Sequence, residues 1–129
     1  MIVIGYSADR YGDAALEHGI AEATLRTSNV LVINATRGDA LADPRFAPED
    51  RVQDLEQRLT QSGLQYEVTQ PVGVDPVDAL LEAMERDDAE LLVVGIRHRT
   101  PVGKLLLGSV AQKVLLNCAK PILAVKPPD

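Results

Sequence analysis

The feature that most constrains this chain is an alternation. Short runs dominated by Val, Ile and Leu recur at residues 2–6, 30–35, 91–96 and 122–125. A further stretch sets Leu64, Tyr66 and Val68 against Gln65, Glu67 and Thr69, the period of two of a strand with one wet face or at a sheet edge. Between these runs lie segments with apolar residues at helical spacing: Leu16, Ile20 and Ala23 within 13–27, Val52, Leu55 and Leu59 within 48–62, and Val77, Leu80, Leu81 and Met84 after Asp75-Pro76. A last such segment, 109–118, presents Val110, Val114, Leu115 and Cys118 inward. Strands separated by helices over the whole length require crossover connections. The alternation therefore predicts an α/β fold, with a parallel sheet and helices on both faces.

Local signals agree with these assignments. Pro48, Glu49 and Asp50 suit a first helical turn, where a missing N–H costs nothing and acids meet the dipole, and Gly63 ends that helix. Asp75 is the expected N-cap of the next helix, with Asp78 three residues on. Pro121 and Pro127 bracket the last strand, which places it most simply at an edge. The 129 residues make one domain, 1–129.

Composition narrows the function. Aromatics are 3% of the chain, with no Trp, which disfavours base-stacking sheets and single-strand binders. The net charge of −6 argues against a general binder of nucleic acid or of a membrane surface. That charge is unevenly spread. Residues 1–90 hold 18 of the 19 acids and 7 of the 13 basic residues, whereas 91–128 hold six basic residues and no acid. An acid-free segment in an acidic protein is a candidate anion site, or a stretch too buried to carry charge. One cysteine, Cys118, excludes a disulfide framework. Two distant histidines, His18 and His98, offer no metal-ligand spacing. The chain opens directly on a strand, and no apolar run approaches a membrane span, so no membrane partner and a cytoplasmic location are expected.

In a doubly wound sheet, ligands bind beyond the carboxyl ends of the strands where the strand order reverses. The first and fourth strands are the candidates for that point, with Ser7 and Gly95 at their exits. After the fourth strand runs Gly95-Ile-Arg97-His98-Arg99-Thr-Pro-Val-Gly-Lys104-Leu-Leu-Leu-Gly108-Ser109-Val110. Gly95 would let the backbone approach a ligand. Gly108 and Ser109 open a helix whose N–H groups favour an anion, and Arg97, Arg99 and Lys104 lie between. These parts suit a phosphate cradle, although no Ser or Thr follows Gly103-Lys104 as a Walker loop requires. Other readings stand beside this one. Ser109 with Gln112 spells a capping box, and Arg97 and Arg99 could be solvated or pair with a second subunit.

This stretch, with Val3-Ile4-Gly5-Tyr6, Leu91-Leu92-Val93-Val94-Gly95 and Pro121-Ile-Leu-Ala-Val125, resembles the universal stress protein family over essentially the whole chain. The resemblance implies a five-stranded sheet of order 3-2-1-4-5, of the adenine nucleotide alpha-hydrolase-like type. It also implies a homodimer, often joined through the last strand, here Ile122–Val125. Nucleotide-binding members carry Gly-x2-Gly-x9-Gly-Ser/Thr here. Gly95, Gly108 and Ser109 match, His98 replaces the second Gly, and Ser7 stands where the family has an Asp meeting the adenine and ribose end. The implied ligand is ATP or another adenine nucleotide, with Mg²⁺. The implied site is Tyr6, Ser7, Ala35, Gly95, Arg97, His98, Arg99, Gly108, Ser109 and Val110. Asp9 and Asp13 are the acids near the first loop that could meet the metal. No nucleophile–base pair or paired carboxylates converge on the loop, so a binding module rather than an enzyme is expected. The alternative, supported by Ser7 and His98, is a protein-interaction dimer that has lost nucleotide binding.

Overall fold

The computed structural model describes residues 1–38, 42–97 and 107–128. Among the described residues nine elements alternate: β1 (Ile2–Gly5), α1 (Arg10–Arg26), β2 (Val30–Ile33), α2 (Glu49–Ser62), β3 (Tyr66–Thr69), α3 (Pro76–Met84), β4 (Leu91–Gly95), α4 (Ser109–Asn117) and β5 (Ile122–Val125). All strand pairs are parallel and the sheet order is β3-β2-β1-β4-β5. β1 is central, with Val3 level with Leu31 on one side and Leu92 on the other. The order reverses between β1 and β4, as the alternation and the family resemblance lead one to expect. β3 and β5 form the edges, matching the polar alternation of the one and the proline brackets of the other.

The period of two in the strands divides the core into two layers. Val3, Leu31, Ile33, Leu92 and Val94 face α3 and α4, meeting Val77, Leu80, Met84, Ala111 and Val114. Ile2, Ile4, Val30, Val32 and Val93 face α1 and α2, meeting Ala15, Leu16, Leu55 and Leu59. Ile2, Val3, Ile4, Val32, Leu92 and Val93 are wholly shielded from solvent. Burial on both sides explains why β1, β2 and β4 read as unbroken apolar runs.

Several boundaries differ from expectation. α1 starts at Arg10, three residues early. The Asp9 carboxylate accepts hydrogen bonds from the N–H groups of Tyr11 and Gly12, and this cap recruits an extra turn with no apolar stripe. Pro48 is the cap residue of α2 rather than its first helical residue. The Ser109–Gln112 capping box is not formed. Gly108 is the N-cap, its carbonyl accepting from the Gln112 N–H, and no side chain caps α4. Leu115 points outward, because the inner face of so short a helix is filled by Ala111 and Val114. Cys118 is half-buried at the C-cap, its thiol 3.6 Å from the Lys120 carbonyl. Gly63 ends α2 and Asp75 caps α3 as expected.

Main chain lies close against main chain where α1 crosses the exits of β1 and β4. A Cβ on Gly12 would stand 1.7 Å from the Ser7 carbonyl oxygen, and one on Gly95 would stand 2.3 Å from that of Tyr11. Both contacts are backbone on backbone, so no rotamer change relieves them. Gly12→Ala should lower the unfolding free energy by about 3 kcal/mol. Gly38→Ala, where an added Cβ meets nothing within 4 Å among the described residues, should change it by less than about 0.5 kcal/mol. Urea denaturation of the two variants beside the parent checks the contrast.

Candidate functional site

Beyond the carboxyl ends of β1, β2 and β4, between the first turns of α1, α3 and α4, lies a cavity of about 820 Å³. That is within the range of small-molecule sites, and it occupies the switch point of the sheet. Of the expected site residues, Tyr6, Ser7, Ala35, Gly95, Arg97, Gly108, Ser109 and Val110 all line it. His98 and Arg99 lie outside the described residues.

Three of these residues also make contacts within the protein that the sequence reading did not include. Gly95 lines the cavity and also lies against the Tyr11 backbone, where a Cβ would stand 2.3 Å from the carbonyl oxygen. The Tyr6 ring is buried in the α1–α2 layer and is not free to stack on a base. Its hydroxyl accepts from the Arg51 guanidinium at 3.1 Å and lies 3.5 Å from Asp13. Ser7 donates its hydroxyl to Asp9 at 2.7 Å, onto the same oxygen that caps α1. Asp9 and Asp13 do not converge, since Asp13 pairs with Arg51 at 3.2 Å and does not line the cavity.

The sequence reading missed the polar frame that carries the walls. Asn34, 2% exposed, satisfies its whole amide. It donates to the carbonyls of Tyr6 and Arg45 and accepts from the Ala47 N–H and the Gln70 amide. Thr36, equally buried, takes hold of two loops. Its N–H donates to the Pro71 carbonyl, its own carbonyl accepts from Gly73 and Val74, and its hydroxyl donates to Asp43 at 2.7 Å. Arg37 reaches across to pair with Asp75, the cap of α3. The available signal was Asn34 interrupting a fully apolar run, with Thr36 following Ala35.

The helix starts around the cavity differ in a way that decides its chemistry. Asp9 caps α1 and Asp75 caps α3, each through a carboxylate bonded to two backbone N–H groups. α4 has no side-chain cap and no acid in its first turn. Among the described residues no side chain accepts from its leading N–H groups, and Gly108 reaches this turn with φ +84°, a conformation that disfavours any residue with a Cβ. The lining carboxylates, Asp9, Asp43 and Asp75, all stand on the β1–β2–α3 side, together with Arg37 and Arg45. Arg97 and Lys113 are the charged residues on the β4–α4 side among the described residues. The cavity thus has an acidic, hydroxyl-bearing wall and a cationic wall with an open helix N-terminus.

Two predictions follow from the frame. Asn34→Leu keeps the volume but strips buried partners from the Ala47 N–H and from two carbonyls, and should destabilise the protein by about 3 kcal/mol in urea unfolding. Burial pushes the Tyr6 hydroxyl above its ordinary range and Asp13 adds to this, while Arg51 opposes it. The folded state therefore favours the neutral phenol. Its contribution is fully present below about pH 10, the unfolded value, and is lost as pH rises through the higher folded value. Stability measured across that alkaline limb should fall in the parent and fall less steeply in Tyr6→Phe.

Comparison with known proteins gives one consistent picture. Residues 1–126 match the model of the universal stress protein family. The chain is 64% identical over 127 residues to a universal stress protein of Mycolicibacterium smegmatis, covering 98% of each. Among solved structures it resembles a universal stress protein from Archaeoglobus fulgidus, with a TM-score of 0.78, 29% identity and 97% of each chain covered. It also resembles a universal stress protein solved in complex with cAMP, with a TM-score of 0.72, 25% identity, and 97% of this chain and 94% of that one covered. The sheet order, the cavity at its switch point and these matches together place the chain in the universal stress protein family.

Proposed function

We propose that the protein is a cytoplasmic binding module for ATP or another adenine nucleotide. The observation that carries this reading is the uncapped N-terminus of α4 facing a cavity whose other lining helix starts are closed by aspartates. A phosphate accepts from several N–H groups at once and sits at the positive end of the dipole, so it is the ligand group this turn fits. Ser109 adds a hydroxyl and Arg97 a guanidinium, which pairs with phosphate in a planar fork. Gly108 keeps the approach clear. The related protein solved with cAMP supports an adenine nucleotide as the ligand, whose ring this reading sets at the other end of the cavity. There Ala35, Val77 and Leu80 supply an aliphatic wall. Sugar hydroxyls would find acceptors in Asp9 and Asp43, an office for which Ser7 is poorly suited because its hydroxyl is already donated to Asp9.

Mg²⁺ enters this reading only with a di- or triphosphate, held by phosphate oxygens, with Asp9 the nearest lining carboxylate to the β1 exit. The role proposed is binding without turnover, in a homodimer joined along Ile122–Val125, whose outer edge pairs with no described strand. Among the described residues no helix is long and apolar enough to cross a membrane.

The purified protein should release an adenine nucleotide on denaturation, or bind ATP, ADP or cAMP in calorimetric titration. No release, and no heat up to millimolar ligand, would favour an interaction dimer without nucleotide. Ser109→Glu places a carboxylate at the first helical position of α4. It should raise the thermal midpoint slightly, through about 0.5 kcal/mol of dipole interaction, and weaken nucleotide binding roughly tenfold or more. Unchanged affinity in that variant would put the phosphate elsewhere.

A further inference from the structure

Lys113 lines the cavity from the second turn of α4 and has no part in the family motif. It stands four residues after Ser109, so the two share one stripe of the helix. Helical side chains lean toward the N-terminus of their own helix, so the exposed Lys113 side chain can reach back toward the turn opened by Gly108. The charge pattern of α4 is also unlike that of its neighbours. α1, α2 and α3 each place acid in the first turn, at Asp13, at Glu49 and Asp50, and at Asp78. α4 places none there and sets a lysine one turn later. A cation beside an unneutralised helix N-terminus is unfavourable until an anion arrives. Among the described residues no ion pair engages Lys113 or Arg97, and the lining carboxylates stand on the opposite wall.

We infer that Lys113 is a specificity-determining residue that reads the charge of the phosphate tail, favouring di- and triphosphates over mono- and cyclic monophosphates. The inference rests on the nucleotide reading and sharpens it. The N–H groups of the first turn accept a single phosphate equally well from any of these ligands. The Lys113 ammonium is a compact point charge beside that turn, so its contribution grows with the number of negative charges brought near it. A cyclic monophosphate brings one, a triphosphate several. The free site is held at an electrostatic disadvantage that a polyphosphate relieves most.

The test uses the full chain and four proteins: parent, Lys113→Met, Lys113→Arg and Ser109→Glu. Each is titrated with adenosine, cAMP, AMP, ADP and ATP, and is melted with and without inorganic tripolyphosphate. Lys113→Met keeps the aliphatic stem. It should lose roughly tenfold in ATP affinity, about threefold or less for AMP and cAMP, and nothing for adenosine. The salt dependence of ATP binding should become shallower, and Lys113→Arg should recover most of the loss. Without ligand, the melting point of Lys113→Met should equal or exceed that of the parent, and its protection by tripolyphosphate should shrink. Equal losses for ATP and cAMP, no loss at all, or a lowered ligand-free melting point would overturn the role given to Lys113 while leaving nucleotide binding intact. Tripolyphosphate protection that depends on Lys113, in a parent that binds no nucleotide, would uphold the polyphosphate preference and sink the adenine reading. A parent that responds to none of these ligands would overturn both.

Discussion

One buried amide holds the top of this molecule together. Asn34 leaves the end of β2 and spends both amide hydrogens and both carbonyl lone pairs on four partners in three segments: the exit of β1, the two ends of the 45–47 turn, and Gln70 at the exit of β3. An amide has no further capacity, so the site is saturated. Parallel strands have no hairpins to tie their carboxyl ends, and each exit departs for its own crossover. Asn34 supplies the missing tie on one side of the sheet, and Thr36 repeats it two residues later for the 71–74 and 42–45 segments. The acidic wall of the cavity is built on these two residues.

The opposite wall is built on different principles. β4 delivers Gly95 against the α1 backbone, and α4 begins without a side-chain cap. One wall is closed by internal hydrogen bonds and aspartate caps, and the other keeps its donors open. A ligand with a neutral, hydroxyl-bearing end and an anionic end matches that division. Of the six basic residues in 91–128, Arg97 and Lys113 line that opposite wall.

How much of this could be read from the sequence depends on the kind of interaction. The two-sided burial of β1, β2 and β4 produces continuous apolar runs, and these gave the sheet and its helices directly. Cavity-lining positions carried by local motifs, Gly108 and Ser109 above all, were legible because chain neighbours form them. The Asn34 and Thr36 networks were not, since their partners lie up to 38 residues away and any polar residue in a loop resembles a solvated one. The capping assignment of Ser109 failed for a related reason. Ser-x-x-Gln fits a capping box, but a cap is fixed by backbone angles, and Gly108 at φ +84° already occupies that place. The Arg97–Arg99 reading was legible only as charge. Composition shows that a segment is cationic, not which atoms it faces.

The crossing of α1 over β1 and β4 has a consequence for how such a cavity diversifies. Where Gly12 meets Ser7 and Gly95 meets Tyr11, main chain lies against main chain, with no side chain between to be trimmed or enlarged. The floor therefore has no adjustable parts. Evolution or an engineer seeking a different ligand must leave that junction alone and work on the residues standing around it, in the way a mould is recut at its sides while its base plate stays fixed.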